Sequence, residues 1–423
     1  MHRKTVFENG LRVITQEIPS TSAVTVLVLA GAGSRYETKE INGISHFLEH
    51  MFFKGAKKYP DAKSVSAAID AVGGDFNAFT GKEYAGYYVK VAEKNKNTAL
   101  DVLSDMLLYS KFDNTEIDKE RRVILEEYNM YQDTPMYQVG WDFEKLLFGD
   151  QPLGWDQVGS KEFILNAHHE DFSNYKNSLY SADNIVVVIS GKVDHDKIIP
   201  DIEKYFAFNN SKKDFEYKKY KISENTNNVL VQNKSTEQGH LVLGFPAYSE
   251  QHADHYALKV LSVILGGNMS SRMFSAIREK KGLTYYIHTS TDDYQDIGVI
   301  STNAGVDVKR IEEAVSSIIH EYALIKKEGV PEDELKKAKD FIKGKMTLRL
   351  EDSEEFAHLL GKQELLHNKI RTPSEIMKEI DKVTKEDILR ICRDLFVQEK
   401  MKLAVIGPFG NGENLKNLME VKF

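Results

Sequence analysis

The sequence contains one pattern of apolar, strand-like segments twice. Three pairs of segments match at a nearly constant offset of about 216 residues: 9–13 with 227–231, 23–29 with 239–245, and 185–191 with 401–407. A repeat at a fixed offset indicates a duplicated structural unit. We therefore predict two homologous halves, 1–208 and 229–423, joined by a linker at 209–228 that is rich in Lys, Asn and Ser.

Within each half, predicted strands come first, helices occupy the middle and a strand closes the unit. Residues 11–16 and 23–29 are rich in β-forming residues, and Asn9-Gly10 is a turn signal before them. Apolar residues recur at helical spacing in four segments: 99–108, 116–130, 311–325 and 332–350. This segregation favours the α+β class, as two sandwich domains that each pack a mixed, largely antiparallel sheet against helices.

Composition narrows the class of partner. The 423 residues carry a formal net charge of −8, which is not the electrostatic footprint of a nucleic-acid-binding protein. Cys392 is the single cysteine, so neither an intrachain disulfide nor a cysteine metal cage can form. The most apolar runs, 23–32 and 185–189, are shorter than the roughly 20 residues that a membrane helix needs. We therefore expect a cytoplasmic protein that binds neither membrane nor nucleic acid.

A metal-binding motif lies in the first half. His46, Glu49 and His50 form the H-x-x-E-H pattern of the inverzincins. Side chains four residues apart lie on one face of a helix, so both imidazoles can reach one ion. Glu49 lies beside them and can accept a proton from a water that zinc has made more acidic. The alternative is a pair of surface histidines without a metal.

A third ligand can be predicted from helical phase. The period of the segment 120–131 places two carboxylates, Glu120 and Glu127, on one face with the apolar side chains of Val123, Ile124 and Tyr131. A face with this composition is predicted to point into the core.

The two adjacent glutamates of this helix therefore receive different predictions. Glu126 falls on the other face and is expected to be a solvated surface charge. Glu127 is expected on the buried side, where a carboxylate needs a partner, either a zinc ion or an Arg or Lys of the core. Glu120 is then expected to orient a histidine or the whole ligand set without binding the metal itself.

The order H-F-L-E-H and then E-R-R-V-I-L-E-E resembles the pitrilysin family of metallopeptidases. The chain length, the duplication and the segment L-G-G-N-M-S-S-R-M-F are similar to the processing-peptidase-like branch, whose subunits are short and have two domains. The resemblance implies one zinc ion per chain, held by His46, His50 and Glu127. It also implies that Glu49 is the general base and Glu120 the outer-shell carboxylate.

The second half departs from the first where the metal would bind. The segment 257–267 corresponds to the motif helix. It contains neither a pair of histidines nor a carboxylate, so it cannot hold the ion. The resemblance implies instead that Arg278 and Tyr285 contact the substrate, as a guanidinium for a carbonyl or carboxylate and a phenol for the developing oxyanion. The alternatives are a surface salt bridge for Arg278 and a strand-core aromatic for Tyr285.

A substrate-binding strand is also implied by the resemblance. The stretch between Gly74 and Gly81 is β-prone, and in the resembling family this is an edge strand whose backbone pairs with an extended peptide. Asn77, Ala78 and Phe79 are the corresponding residues. The alternative is a strand that is paired along both edges.

These observations predict a zinc-dependent endopeptidase that cleaves peptides or unfolded segments. The longer members of the resembling family have four such domains, whereas this chain supplies two. The resemblance therefore implies a homodimer that encloses a chamber and opens and closes to admit peptides. Two alternatives remain open: a non-catalytic scaffold subunit, and a metal-binding regulatory subunit that needs a separate active partner. A scaffold subunit would be expected to lack some of the motif residues. All five are present here: His46, Glu49, His50, Glu120 and Glu127.

Overall fold

The computed structural model describes residues 2–208, 213, 216–222 and 227–420. The predicted linker therefore lies partly outside the described residues.

The described strands form two sheets. The strands of the first sheet are β1 (Arg3–Val6), β2 (Arg12–Glu17), β3 (Ala23–Ala30), β4 (Asp75–Thr80), β5 (Ala85–Ala92) and β6 (Ile185–Gly191). The strands of the second sheet are β7 (Val229–Asn233), β8 (Gln238–Ala247), β9 (Thr284–Asp293), β10 (Gly298–Asp307) and β11 (Lys402–Gly407).

The two sheets repeat one topology. Their strand orders are β1-β2-β6-β3-β5-β4 and β7-β11-β8-β10-β9, so the second matches the first from β2 onward. In both, one parallel pair (β2 with β6, β7 with β11) is followed by antiparallel pairs. The predicted duplication and the largely antiparallel, mixed sheets are confirmed.

Helices fill the segments between the strands. The α-helices are α1 (Ile44–Phe52), α2 (Ala62–Asp70), α3 (Lys96–Tyr109), α4 (Asn114–Asp133), α5 (Pro135–Phe148), α6 (Lys161–Asn166), α7 (His169–Leu179), α8 (His195–Tyr205), α9 (His255–Gly266), α10 (Ile311–Glu328), α11 (Glu332–Arg349), α12 (Ser353–His367), α13 (Pro373–Lys382), α14 (Lys385–Leu395) and α15 (Glu413–Leu418). A π-helix spans Phe274–Glu279, and single 3₁₀ turns lie at Ser34–Tyr36, Lys39–Ile41, Glu93–Asn95, Pro152–Gly154, Ala182–Asn184, Val308–Arg310 and Gln398–Lys400.

The ends of the predicted elements lie no more than three residues from the expected positions. The segments 11–16 and 23–29 are β2 and β3, and the four segments with helical spacing are α3, α4, α10 and α11. The predicted turn at Asn9-Gly10 joins β1 to β2, and Gly10 adopts a φ of 91°, which glycine tolerates and other residues rarely adopt. The α+β prediction is confirmed.

The chain forms two compact units that differ from the predicted halves. The first unit comprises Met1–Tyr128, Asp156–Lys218 and Thr347–Arg371, and the second comprises Asn129–Trp155, Lys219–Met346 and Thr372–Phe423. Helix α12 therefore belongs to the first unit although it lies in the second half of the sequence, and α5 belongs to the second unit although it lies in the first half.

Apolar packing explains this exchange of helices. In the first unit, Ala357 and Leu360 of α12 pack in one buried cluster with Leu27 and Val188 of the first sheet. In the second unit, α5 packs its apolar face on the second sheet, in a cluster that contains Val139, Phe143, Val242, Val299 and Ala404. An amphipathic helix reveals from its sequence that one face is buried, but not which sheet covers it.

Candidate metal centre

Helix α1 is fixed in the first unit by a buried carboxylate at its N-terminus. The side chain of Glu37 accepts hydrogen bonds from the N–H groups of Gly43 and Ser45, at 2.8 and 2.9 Å, and from the Asn42 amide at 2.8 Å. These bonds satisfy N–H groups that an α-helix leaves without an internal partner, and a negative charge is favourable at this end. Sequence reasoning did not identify Glu37, because the residue lies seven positions before Ile44, the first residue of the helix.

Three side chains with metal-ligating atoms converge at α1 and α4. The Nε2 atoms of His46 and His50 are 3.3 Å apart, and each lies 3.5 Å from Oε2 of Glu127. One ligand atom from each of the three residues lies within 4.8 Å of the other two. Within the described parts of the chain, this is the one group of three or more His, Cys, Asp or Glu side chains that meets this geometry. Neither imidazole is an exposed surface group.

The position of Glu127 follows the predicted phase of α4, with one correction. Ile124 is buried, Glu127 is 23% exposed and Glu126 is exposed. Val123, however, is 50% exposed, so its predicted burial was wrong. The buried stripe of α4 is narrow, and Val123 lies about 100° around the helix from Ile124.

The donor set fits a divalent ion of the zinc type. Two imidazoles and one carboxylate are a ligand combination that zinc uses in catalytic sites. Burial lowers the pKa of His46, but Glu127, Glu49 and Glu37 raise it, and the net shift is upward. The same negative field that favours a proton on this imidazole favours a metal cation beside it.

Glu120 supports His50 from behind. Its Oε1 lies 2.8 Å from Nδ1 of His50, and its Oε2 lies 2.6 Å from the Lys54 ammonium. Burial raises the pKa of the Glu120 carboxyl. The hydrogen bonds from His50 and Lys54 lower this pKa by a larger amount, so it lies below its ordinary value. A carboxylate in this position fixes the ring and leaves Nε2 for the metal. Sequence reasoning missed Lys54, although it lies one turn beyond His50.

The carboxylate of Glu49 is held at one oxygen only. Its Oε2 accepts a hydrogen bond from the Thr80 hydroxyl at 2.5 Å, and Thr80 is the last residue of β4. Among the described residues, Glu49 has no second hydrogen-bond partner. One oxygen is therefore left for a water or a substrate group. The H-x-x-E-H pattern identified Glu49 but gave no sign of Thr80.

The predicted substrate strand lies at a sheet edge. Asn77, Ala78 and Phe79 belong to β4, which pairs with β5 alone among the strands that the structure describes. The N–H of Ala78 is bonded to the side chain of Asn77 at 2.9 Å. The Phe79 ring is packed inward against Tyr84 and His358, with centroid distances of 5.7 and 5.2 Å. Phe79 can therefore offer a peptide its backbone rather than its ring.

Arg278 and Tyr285 both lie in the second unit. Tyr285 is 76% exposed on β9, an edge strand, so it is not a strand-core aromatic. Arg278 belongs to the π-helix, and its guanidinium lies 4.6 Å from the centroid of the Phe274 ring. No acidic partner of Arg278 is found among the described residues, so the alternative of a surface salt bridge receives no support. The roles of both residues toward a substrate stay predictions.

Helix α9 takes the place of the motif helix in the second half. Its buried residues are Ala257, Leu258, Val260, Leu261, Ser262, Ile264, Leu265 and Gly266, and none of them is a His, Cys, Asp or Glu that could bind a metal. Fold and site together define a duplicated α+β protein with side chains suited to a divalent metal in one of its two repeats.

Comparison with known families gives the particular family. Residues 12–149 match the family model described as Insulinase (Peptidase family M16), and residues 166–341 match the one described as Peptidase M16 inactive domain. The chain belongs to peptidase family M16, and the resemblance to the pitrilysin family is confirmed.

Curated relatives match along almost the whole chain. A protein of Bacillus subtilis named uncharacterized zinc protease is 37% identical, and the match covers 97% of this chain and 99% of that protein. A protein of Streptomyces coelicolor with the same description is 33% identical over 96% of this chain and 89% of its own length. Both names describe these two relatives as zinc proteases.

Solved structures confirm the fold. A protease from Helicobacter pylori superimposes with a TM-score of 0.89 at 24% identity, over 96% of this chain and 99% of that chain. A structure from Pseudomonas fluorescens, described as a peptidase M16 inactive domain, gives a TM-score of 0.88 at 18% identity, over 96% and 98%. Within the described residues, no helix combines the length and apolar character needed to cross a bilayer.

Proposed function

We propose that the chain is a zinc-dependent endopeptidase that hydrolyses peptides or unfolded protein segments. The observation that carries this proposal is the convergence of His46, His50 and Glu127. Glu49 lies on the helix of the two histidines, and among the described residues one oxygen of its carboxylate has no hydrogen-bond partner. The family model described as the inactive domain matches residues 166–341, outside this group, whereas the model that covers the group is the one described as insulinase.

Each side chain of the centre has a distinct task. His46, His50 and Glu127 would hold the zinc ion, which when bound acidifies a water and polarises the scissile carbonyl. Glu49 accepts a proton from the attacking water and delivers it to the leaving amine. Glu120 keeps the His50 ring in the orientation that directs Nε2 toward the position where the metal would bind.

Substrate binding is proposed to use the edge strand β4. An extended peptide that pairs with Asn77 and Ala78 would gain main-chain hydrogen bonds that do not depend on its sequence. The Ala78 N–H would then exchange its bond to the Asn77 side chain for a peptide carbonyl. This mode suits unfolded segments, because a folded protein has few free extended strands to offer.

An assay on the purified chain tests the proposal. A library of quenched fluorescent peptides should be cleaved, the activity should disappear with a chelator, and it should return when zinc is added. A chain that binds zinc but cleaves no peptide would support a regulatory subunit, and a chain that does neither would support a scaffold.

Tyr285→Phe is expected to lower kcat by about 100-fold with zinc content unchanged, since the proposed role of the Tyr285 hydroxyl is to donate a hydrogen bond to the oxyanion. Steady-state kinetics and metal analysis measure the two quantities. Tyr109→Phe is a matched control, because Tyr109 is an exposed tyrosine on α3 of the first unit. Equal kcat for both variants and the wild type would refute the role of Tyr285.

We further propose that the active form is a homodimer whose two chains enclose a chamber. Light scattering of the recombinant chain should give a mass near twice that of one 48.2 kDa chain. A strictly monomeric and active enzyme contradicts this proposal. A doubled mass that occurs only in extracts of the native source would indicate a different partner subunit.

A further inference from the structure

We propose that Thr80 is a positioning residue for the general base. Its hydroxyl holds Oε2 of Glu49 and thereby leaves Oε1 for the water that Glu49 deprotonates. The catalytic part of this inference rests on the proposed function, but the contact itself does not. The Thr80 hydroxyl donates to Oε2 of Glu49, and the 2.5 Å between Oγ1 and Oε2 is at the short end of the range for O–H···O hydrogen bonds.

Thr80 is itself held by its surroundings. It pairs with Ala85 in the β4–β5 hairpin, and the N–H of Gly81 closes the turn on the carbonyl of Tyr84 at 2.9 Å. The side chain of Gln157 donates to the carbonyl of Thr80. Thr80 is also largely buried, with 8% of its surface exposed. Pairing and burial together hold the residue that carries the hydroxyl in place.

A second loop clamps the turn that follows Thr80. The N–H groups of Ser34 and Arg35 donate to the carbonyls of Gly81 and Lys82, at 3.3 and 2.8 Å. The loop approaches so closely that a Cβ at Gly33 would collide with these carbonyls, and only glycine fits there. The position of the Thr80 hydroxyl is therefore determined by a sheet, a turn and a loop together.

The side chain of threonine adds a further restriction. Its β-branch limits the torsion about the Cα–Cβ bond to few rotamers, so the hydroxyl has little freedom to turn away from Glu49. Serine would keep the donor with more torsional freedom, and valine would keep the shape without the donor.

The contrast with Glu120 supports a catalytic use of this arrangement. Glu120 has both oxygens engaged, one with His50 and one with Lys54, as expected of a carboxylate with a purely structural task. Glu49 has one oxygen fixed and the other without a protein partner among the described residues. A base must be oriented and still keep a lone pair for the incoming proton, and a single firm contact meets both needs.

Kinetics of two variants test the proposal. Thr80→Val should lower kcat by about 10- to 100-fold, the range typical of lost orienting contacts, with KM and zinc content near wild type. Thr80→Ser should recover most of the lost kcat. Thr25→Val is the matched control: Thr25 is a buried threonine of β3 in the same sheet, bonded to Ser353 at 2.8 Å, and its loss should leave kcat unchanged.

Crystal structures of the metal-free wild type and of Thr80→Val give a readout that does not depend on activity. The wild type should show the Glu49 carboxylate within hydrogen-bond distance of Oγ1, and the variant should show it displaced or in several conformers. The proposal is overturned by a wild-type structure without this bond, by unchanged kcat in Thr80→Val, by equal losses in the Val and Ser variants, or by zinc loss that accounts for the fall. If the wild-type chain cleaves nothing, the proposed function fails, whereas the two structures still decide whether Thr80 positions Glu49.

Discussion

Replacement of Glu49 by Gln should lower kcat by about 10²- to 10⁴-fold while the protein keeps its zinc. The amide has nearly the shape of the carboxylate and can still accept the hydrogen bond from Thr80, but it cannot take a proton from water. The three ligand side chains are unchanged, so the metal should remain.

Kinetics and metal analysis on the same preparation measure both effects. Glu126→Gln is the matched control, because it makes the same chemical change on an exposed side chain of α4. Near wild-type turnover in Glu49→Gln would show that another group is the base. Loss of zinc from this variant would show that Glu49 is a ligand.

Replacement of Glu127 by Gln should remove zinc itself. Only the two imidazoles would then remain as strong donors, and the negative field that raises the His46 pKa would be weaker. Loss of a residue that only hydrogen-bonds to a metal ligand lowers metal affinity by roughly 10- to 100-fold, and the zinc affinity of Glu127→Gln should fall by more than that. Dialysed protein should therefore hold much less than one zinc per chain.

Two further variants place this result on a scale. Glu126→Gln should retain zinc as the wild type does, since its side chain is exposed and lies off the site. Glu120→Gln should give an intermediate loss, because it weakens the support of His50 without removing a ligand. Equal zinc loss from the Glu126 and Glu127 variants would mean that the third ligand is assigned wrongly.

Local periodicity accounts for what the sequence could predict. Spacing within one helix defined the pair His46 and His50, and the phase of a second helix separated Glu127 from Glu126. The repeated strands predicted two related sheets, and both sheets have the same strand order. In each case the information lies within a single helix or strand, or in a repeat at a fixed offset.

The contacts that the sequence could not predict join segments far apart along the chain. Thr80 and Glu49 are separated by 31 residues, and their hydrogen bond depends on how β4 lies beside α1. Lys54 meets Glu120 across 66 positions of sequence, again through packing of elements. Burial of Val123 was predicted wrongly because apolar character alone does not define the width of a buried stripe.

The exchange of α5 and α12 has a consequence for synthesis on the ribosome. The first sheet, which contains β4, is covered by α12, whose residues Ser353–His367 lie in the second half of the sequence. Until that helix emerges, Leu27, Leu29 and Val188 lack an apolar cover that they have in the finished protein. The first unit cannot complete its core until residues 353–367 have been translated, so the nascent chain must remain protected from aggregation up to that point. For the same reason, a gene fragment that encodes residues 1–208 should not yield a stable metal-binding domain.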